Sequence, residues 1–304
     1  MILVFLLYLV CATMFTISKG VLAYVQPIFF VAVRMISAGV LLLGYSIFTE
    51  YKNKIFFKEL IKNIKIDRWL FTQLILFHVY LTYICDLCAL KNISSVESAF
   101  IYNLSPFIAA FFSYFWFNEK MNLKKWIGLG IGFISLLPML ISQYWQHNSF
   151  AHFTPQLLTF IAVISSSYGW IIVRQLVARE KYSPFFVNGF SMFLGGAIAL
   201  ITSLLTESWT PYPFTQFIPF LQLTVLIIVT ANLIFYNLDA YLLKFYTATF
   251  LSFAGFTCPI FTAILGWLFL SEYFSLNLIL SFVFVSIGLY IFHQEELRQG
   301  YVRK

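Results

Sequence analysis

The sequence predicts an all-α membrane protein with ten transmembrane helices in two inverted five-helix repeats. Of its 304 residues, 61% are hydrophobic and only 10% are charged, against roughly 25% charged residues in a soluble domain. A soluble fold of this composition would expose a large apolar surface and aggregate. The apolar residues form continuous runs, not the alternating pattern of membrane barrel strands. The composition therefore excludes a soluble enzyme, a nucleic-acid-binding domain and an outer-membrane barrel.

Charges, prolines and polar clusters divide the chain into ten apolar runs. Each is close to the roughly 20 residues that a helix needs to cross a bilayer. The runs are 2–18, 27–48, 69–90, 95–118, 124–142, 155–177, 184–205, 217–239, 247–270 and 274–293. In the 51–68 connection, apolar residues recur at helical spacing between lysines. This pattern predicts a short helix in the membrane interface, and a solvated basic loop is the alternative.

The basic residues predict how the chain is oriented. If the ten runs alternate in direction, fifteen of the 19 Lys and Arg residues lie on one side of the membrane, and only Lys19 and Lys91 lie on the other. Positively charged loops remain in the cytoplasm. We therefore expect a multi-pass protein of the cell inner membrane with both termini in the cytoplasm. The net charge of +7 is assigned to loops that face anionic lipid, not to nucleic acid.

An internal repeat divides the chain into residues 1–147 and 148–304. Three matches share one offset of 153 residues: Ala89-Leu90-Lys91 with Leu242-Leu243-Lys244, Pro106 with Pro259, and Glu119 with Glu272. Because each unit has five spans, which is an odd number, the second unit is inverted in the membrane relative to the first. Inverted repeats are a common basis of alternating access in carriers.

These features resemble the drug/metabolite transporter superfamily, EamA type. In the first half the resemblance rests on Pro27-Ile28-Phe29-Phe30, Arg34, Gly39, Ala89-Leu90, Ser94, Ser105-Pro106-Phe107, Phe117-Asn118-Glu119-Lys120 and Trp126-Ile127-Gly128. In the second half it rests on Cys258-Pro259-Ile260, Leu270-Ser271-Glu272 and Gly288. The resemblance covers nearly the whole chain and implies a ten-helix carrier of small organic metabolites with a central cavity. Spans three, four and eight carry more acidic residues than this family leads us to expect.

Charged residues within the spans are candidates for the substrate site, since each costs at least about 2.5–3.5 kcal/mol at bilayer depth. Asp86 shares one face of span three with His78 and Thr82, at steps of four residues. Asp239 ends span eight. These positions predict a water-filled cavity. The alternative is that they join helices as ion pairs, Asp86 with Arg34 or Lys19 and Asp239 with Arg174.

Further candidates are polar or aromatic residues in the same spans or in neighbouring ones. Glu97 either contacts substrate or completes a capping box that begins at Ser94. Asn103 lies in a small-residue stripe with Pro106, where the proline predicts a bend. The aromatic residues either form a cage around a cation or a base, or they only pack. The candidate substrate-binding residues are Lys19, Arg34, Tyr83, Asp86, Glu97, Tyr102, Asn103, Trp170, Tyr236, Asp239 and Phe256.

Carboxylates and aromatic rings in one cavity favour a substrate with a positive centre and a flat ring, and Arg34 or Lys19 could hold its carboxylate. S-adenosylmethionine fits all three features, and members of the superfamily that this chain resembles import it in host-dependent bacteria in exchange for S-adenosylhomocysteine. An amino acid or a nucleotide-like metabolite is the alternative. A membrane-embedded enzyme using His78 and Asp86, or a scaffold, is less favoured. The sequence contains no motif for a cofactor or ATP, so we expect a carrier without cofactor or metal. We expect it to be a monomer or a homodimer.

Overall fold

A computed structural model of the protein describes residues 2–49, 54–93, 95–134, 153–178, 182–270 and 277–300. Within these ranges the chain is helical, with one isolated bridge between Val25 and Phe214 and no strand. The helices are α1 (Ile2–Val21), α2 (Pro27–Thr49), α3 (Lys54–Ile66), α4 (Arg68–Leu90), α5 (Ser95–Ile101, Tyr102–Leu104 and Ser105–Phe117), α6 (Leu123–Ile134), α7 (Phe153–Ala178), α8 (Pro184–Thr206), α9 (Phe217–Leu242), α10 (Ala248–Ala254, Gly255–Thr257 and Cys258–Leu270) and α11 (Asn277–Gln299).

Seven of these helices are long and apolar enough to cross a membrane: α1, α2, α4, α7, α8, α9 and α10. The prediction of an all-α membrane protein with several spans is confirmed. The count of ten spans remains a prediction, since the described part of α6 ends at Ile134 and much of the fifth predicted span lies outside the described residues. The short helix predicted in the 51–68 connection is confirmed as α3.

Four of the helices contain a local change of winding. In α4 and α9 the chain forms π-helical turns at Leu74–Leu81 and Ile228–Phe235. Such turns are rare and occur frequently at functional sites. In α5 and α10 a 3-10 turn lies just before Pro106 and Pro259, since a proline cannot donate a backbone hydrogen bond. The regular α-helical winding is therefore interrupted just before Pro106, and the bend predicted there stays a prediction.

Glycines allow two helix pairs to approach closely. A Cβ atom at Gly39 of α2 would lie 2.5 Å from the backbone nitrogen of Phe193 in α8, and one at Gly196 would lie 2.8 Å from that of Ile36. In the pair α6 and α11, a Cβ atom at Gly288 would lie 2.6 Å from the carbonyl oxygen of Gly128. Small residues at such crossings give membrane helices their packing contacts.

The remaining helices surround the centre of the bundle. Helix α1 packs against α9 and α10, while α7 packs against α4 and α5, and α5 packs against α10. The side chains between them form one continuous core. This arrangement brings residues from both halves of the chain to the same central space.

Buried and partly buried polar contacts join different helices at two places. At one, which we call the Lys19 end, Lys19 Nζ donates to the carbonyl oxygens of Leu90 and Ile93, at 2.7 Å in each case. At the other, the Lys125 end, Lys125 Nζ lies 3.3 Å from Glu296 Oε1, and both side chains are at most 1% exposed. Thr247 donates to the same Glu296 oxygen at 2.6 Å. The C-terminal end of α4 thus belongs to the Lys19 end, and the start of α10 belongs to the Lys125 end.

Candidate functional site

A cavity lies at the centre of the bundle, between α1, α2, α4, α5, α7, α9 and α10. It holds about 120 Å³ of space that water-sized molecules can occupy. Most of its wall is apolar, and among the described side chains three charged groups line it: Arg34, Asp86 and Asp239. A mostly apolar wall with a few placed polar groups is typical of small-molecule sites.

Arg34 enters the cavity from α2 and is only 1% exposed. Its Nε donates to Asn232 Oδ1 of α9 at 2.8 Å, and its guanidinium carbon lies 4.8 Å from the centre of the Tyr83 ring. Nη2 has no hydrogen-bond partner among the described residues. The side chain is therefore held on one edge while one donor remains available, which suits a planar carboxylate.

The two aspartates differ in their hydrogen bonds. Asp86 Oδ1 accepts a bond from Ser98 Oγ of α5 at 3.2 Å. Asp239 is 4% exposed, and its Oδ1 has no partner in the described part of the chain. Among the described residues neither aspartate forms a salt bridge. Because an unpaired carboxylate is costly at membrane depth, both positions favour binding of a cation or a proton.

Aromatic rings form one side of the cavity. The hydroxyl of Tyr83 donates to that of Tyr236. Trp170 of α7 stacks on Tyr236, with ring centres 5.2 Å apart and an angle of 29° between the planes, and the His78 ring meets Trp170 edge-on at 4.6 Å. Tyr102 of α5 also lines the cavity. This surface can stack against a flat ring or a cation.

The central polar residues occupy matching positions in the two halves of the chain. Tyr83 and Asp86 precede Tyr236 and Asp239 by 153 residues, the offset that also relates the two prolines. Asp86 lies four residues before Leu90, at the Lys19 end. Asp239 lies near the end of α9, shortly before the residues of the Lys125 end. Tyr83 and Tyr236 therefore meet in the middle of the bundle. Asp86 lies toward the Lys19 end and Asp239 toward the Lys125 end.

The cavity brings together most of the residues proposed from the sequence. Those that line it are Arg34, Tyr83, Asp86, Tyr102, Trp170, Tyr236 and Asp239. Lys19 instead caps α4, and Asn103 is buried outside the lining with an unpartnered Nδ2. Phe256 packs against Phe253, with ring centres 5.1 Å apart. The side chain of Glu97, and Ser94 of the proposed capping box, lie outside the described residues.

Two of the ion pairs considered as alternatives are replaced by other contacts. Arg174 pairs with Glu119, not with Asp239, and its guanidinium carbon lies 4.3 Å from the centre of the Phe117 ring. Lys19 binds backbone carbonyls, not Asp86. Arg174 and Lys19 therefore fix helix ends, and the two aspartates remain available to the cavity.

One wall of the cavity was missed from the sequence. It is formed by α1, which contributes Tyr8, Cys11, Phe15 and Ser18. Their spacing of three or four residues places them on one helix face, so the pattern is present in the sequence. Because most of them are apolar or aromatic, the face could not be distinguished from one that only packs.

Apolar helices of membrane-spanning length around a central cavity with charged side chains define a membrane transport protein for small solutes. The chain belongs to the EamA-like transporter family, whose model matches residues 1–141 and 154–293. The predicted resemblance is thereby confirmed. A solved crystal structure of another protein has the same fold, with a TM-score of 0.74 and 16% identity over 96% of this chain and 95% of that one.

Two curated relatives match along almost the whole chain. The S-adenosylmethionine/S-adenosylhomocysteine transporter of Chlamydia muridarum is 34% identical over 99% of this chain and 93% of its own. The transporter of the same name from Chlamydia trachomatis serovar L2 is 34% identical over 99% of this chain and 90% of its own. Both are therefore similar to this chain over both of its halves.

Proposed function

We propose that the protein is a secondary carrier that moves S-adenosylmethionine across the membrane in exchange for S-adenosylhomocysteine. The observation that carries this proposal is the cavity, where one arginine with an available donor, two unpaired carboxylates and stacked aromatic rings face the same space. S-adenosylmethionine carries the complementary groups, which are a carboxylate, two cationic centres and an adenine. The two relatives that are 34% identical support the same substrate pair.

Each part of the substrate has a counterpart in the cavity. Arg34 holds the substrate carboxylate through Nη2, Asp86 holds the ammonium group, and Asp239 faces the sulfonium. Trp170 and Tyr236 stack on the adenine, for which each base–aromatic contact gives roughly 1–3 kcal/mol. Tyr83 and Tyr102 complete the aromatic wall. The demethylated product keeps all of these groups except the sulfonium charge, so one site accepts both compounds.

We further propose that residues 1–147 and 148–304 form two inverted repeats of five transmembrane helices each. The packing supports this assignment, since the contacts of α1 with α9 and α10 correspond to those of α7 with α4 and α5. Helices α2, α5 and α6 each pack on the helix assigned as their own counterpart, which is α8, α10 or α11. The family model also matches the chain twice. Exchange of conformation between such halves gives alternating access to one site.

The proposed orientation places both termini in the cytoplasm of a cell whose inner membrane holds the protein. In this orientation the Lys125 end faces the cytoplasm and the Lys19 end faces outward. The basic helix α3, with the exposed residues Lys62 and Lys65, then lies on the cytoplasmic surface, where anionic lipid attracts it.

Exchange by the purified full-length chain in liposomes tests the function. Vesicles loaded with unlabelled S-adenosylhomocysteine should take up labelled S-adenosylmethionine, and excess of either unlabelled compound outside should block uptake. Vesicles without protein are the control. If neither compound competes at millimolar concentration while a simple amino acid is transported, the substrate assignment is wrong. If the labelled compound is recovered chemically altered, the protein is an enzyme.

A further inference from the structure

The two proposed substrates differ by one charge, and the cavity must accommodate this difference. At neutral pH, S-adenosylmethionine carries one positive charge more than S-adenosylhomocysteine because of its sulfonium. The inference from this charge difference rests on the proposed function. Exchange of one compound for the other therefore either moves a net charge across the membrane or moves a compensating ion as well. A net charge in a low-dielectric site is costly, so a compensating ion is favoured.

The described charges of the cavity indicate where the imbalance falls. Arg34 contributes one positive charge, while Asp86 and Asp239 contribute two negative charges when both are ionised. Arg34 balances one carboxylate, and the sulfonium of S-adenosylmethionine balances the other. When the demethylated product is bound, one carboxylate has no counter-charge.

Among the described residues, Asp239 is the carboxylate with fewer hydrogen bonds from the protein. Its counterpart Asp86 accepts a hydrogen bond from Ser98 at 3.2 Å, whereas Asp239 Oδ1 has no partner in the described part of the chain. Nearby on α9, Asn237 donates to backbone oxygens of its own helix, and Asn232 is engaged with Arg34. The other titratable or charged side chains that line the cavity are Tyr8 and Cys11 on α1, Arg34 on α2, Tyr83 and Asp86 on α4, Tyr102 on α5, Tyr236 on α9 and Cys258 on α10.

In the described helix α7, the one charged side chain is Arg174. Arg174 is engaged with Glu119 at the end of α5. From α8, Asn188 donates to the Tyr236 carbonyl and to Asn237 Oδ1, both at 3.1 Å. Among the described residues no side-chain cation bonds to Asp239, so a cation for it must enter with the substrate or as a proton.

We propose that Asp239 binds a proton when the demethylated product occupies the cavity and releases it when the sulfonium binds. Each cycle then exchanges one S-adenosylmethionine for one S-adenosylhomocysteine together with one proton. The sulfonium carries one positive charge in one direction, and the proton carries one in the other. The exchange is therefore electroneutral, and the proton is a second transported ligand.

Proton counting in liposomes tests this stoichiometry. Vesicles with purified full-length protein contain unlabelled S-adenosylhomocysteine and a pH-sensitive dye, and potassium with valinomycin sets the membrane potential. We expect one proton to leave for each labelled S-adenosylmethionine that enters, at a rate that does not change with the potential. Vesicles loaded with S-adenosylmethionine should show exchange without proton movement. An exchange that moves no proton and follows the imposed potential would overturn the proposal.

The variant Asp239→Asn tests the proton site. It should lose proton release, and its entry of S-adenosylmethionine should fall about tenfold or more, while its melting temperature in detergent is the check on folding. Glu59→Gln is the matched control, because Glu59 is an exposed carboxylate on α3 outside the cavity, and it should keep one proton per exchange. Proton release that persists in Asp239→Asn and disappears in Asp86→Asn would assign the proton to Asp86 and overturn the choice of Asp239.

Equilibrium binding to the unmodified protein gives a second measurement. Above the titration of Asp239, the affinity for S-adenosylhomocysteine should fall by about tenfold per pH unit, because product binding then takes up a proton. The affinity for S-adenosylmethionine should not fall in that range. A product affinity that stays constant with pH, together with no proton movement, contradicts the proposal. Failure to transport either compound would instead contradict the proposed function.

Discussion

In the described part of the chain, the buried and partly buried charged residues include two kinds. Lys125 with Glu296, and Arg174 with Glu119, have partners within the fold. Arg34, Asp86 and Asp239 instead line the cavity and, in the described part of the chain, form no salt bridge. Replacement of the first kind should lower stability, because it leaves a buried charge uncompensated. Replacement of the second kind should lower binding more than stability.

The pair of Lys125 and Glu296 allows a direct test of this distinction. Both side chains are at most 1% exposed, so Lys125→Met should destabilise the protein by about 3–5 kcal/mol. The matched control is Lys124→Met, since the Lys124 side chain is 61% exposed and its Nζ lies 3.8 Å from Glu295 Oε2. This change should cost at most about 1 kcal/mol. Melting temperatures in detergent measure both effects, and equal shifts for the two variants would contradict the distinction.

Asp86→Asn tests the second kind of charge. If Asp86 holds the ammonium group, which both proposed substrates carry, the change should weaken the binding of both by a similar factor. A hydrogen bond between charged groups contributes roughly 1.5–3 kcal/mol, so we expect a loss of about tenfold or more. Inhibition constants for the two compounds measure it, with the melting temperature as the check on folding. A loss confined to S-adenosylmethionine would place the sulfonium, not the ammonium, on Asp86.

At the scale of helices, the sequence predicts where each helix lies in the chain better than it predicts the local winding of the helix. Continuous apolar runs locate the helices, and the 3-10 turn of α5 lies next to Pro106, where the missing backbone donor is a local property of the sequence. The π-helical turns of α4 and α9 were not predicted. An apolar run such as 74–81 satisfies either winding, and the packing of neighbouring helices selects between them.

The crossing of α2 and α8 gives a prediction for a pair of helices. A methyl group at Gly39 would lie 2.5 Å from the Phe193 nitrogen, whereas one at Gly44, on the same helix, would meet nothing within 4 Å. Gly39→Ala should therefore destabilise the protein by about 1–3 kcal/mol through overpacking. Gly44→Ala should stabilise it by about 0.5–1 kcal/mol through helix propensity. Thermal unfolding of the two variants decides the matter, and an unaffected Gly39→Ala protein would show that this crossing can separate without loss.

At the scale of the whole molecule, the sequence predicts those site residues whose charge is unexpected within an apolar run. Asp86, Asp239 and Arg34 stand out because a charge within an apolar run needs an explanation, and all three line the cavity. Lys19, Asn103 and Phe256 do not line it, since only the folded structure shows whether a polar or aromatic residue faces a helix end or a neighbouring ring. The cavity face of α1 was missed because it resembles an ordinary packing face.

The proposed inverted arrangement makes a prediction about the two membrane surfaces. Positions 62 and 124 are exposed and lie in parts of the chain that we place in the cytoplasm, while Tyr212, in the connection between α8 and α9, is 66% exposed and placed outside. We expect cysteines at Lys62 and Lys124 to react with a membrane-impermeant thiol reagent from the cytoplasmic side, and one at Tyr212 to react from the opposite side. Cys11, Cys85, Cys88 and Cys258 are buried or partly buried, so the unmodified chain sets the background. Because three proposed spans separate positions 124 and 212, their reaction from the same side would rule out two inverted halves of five spans.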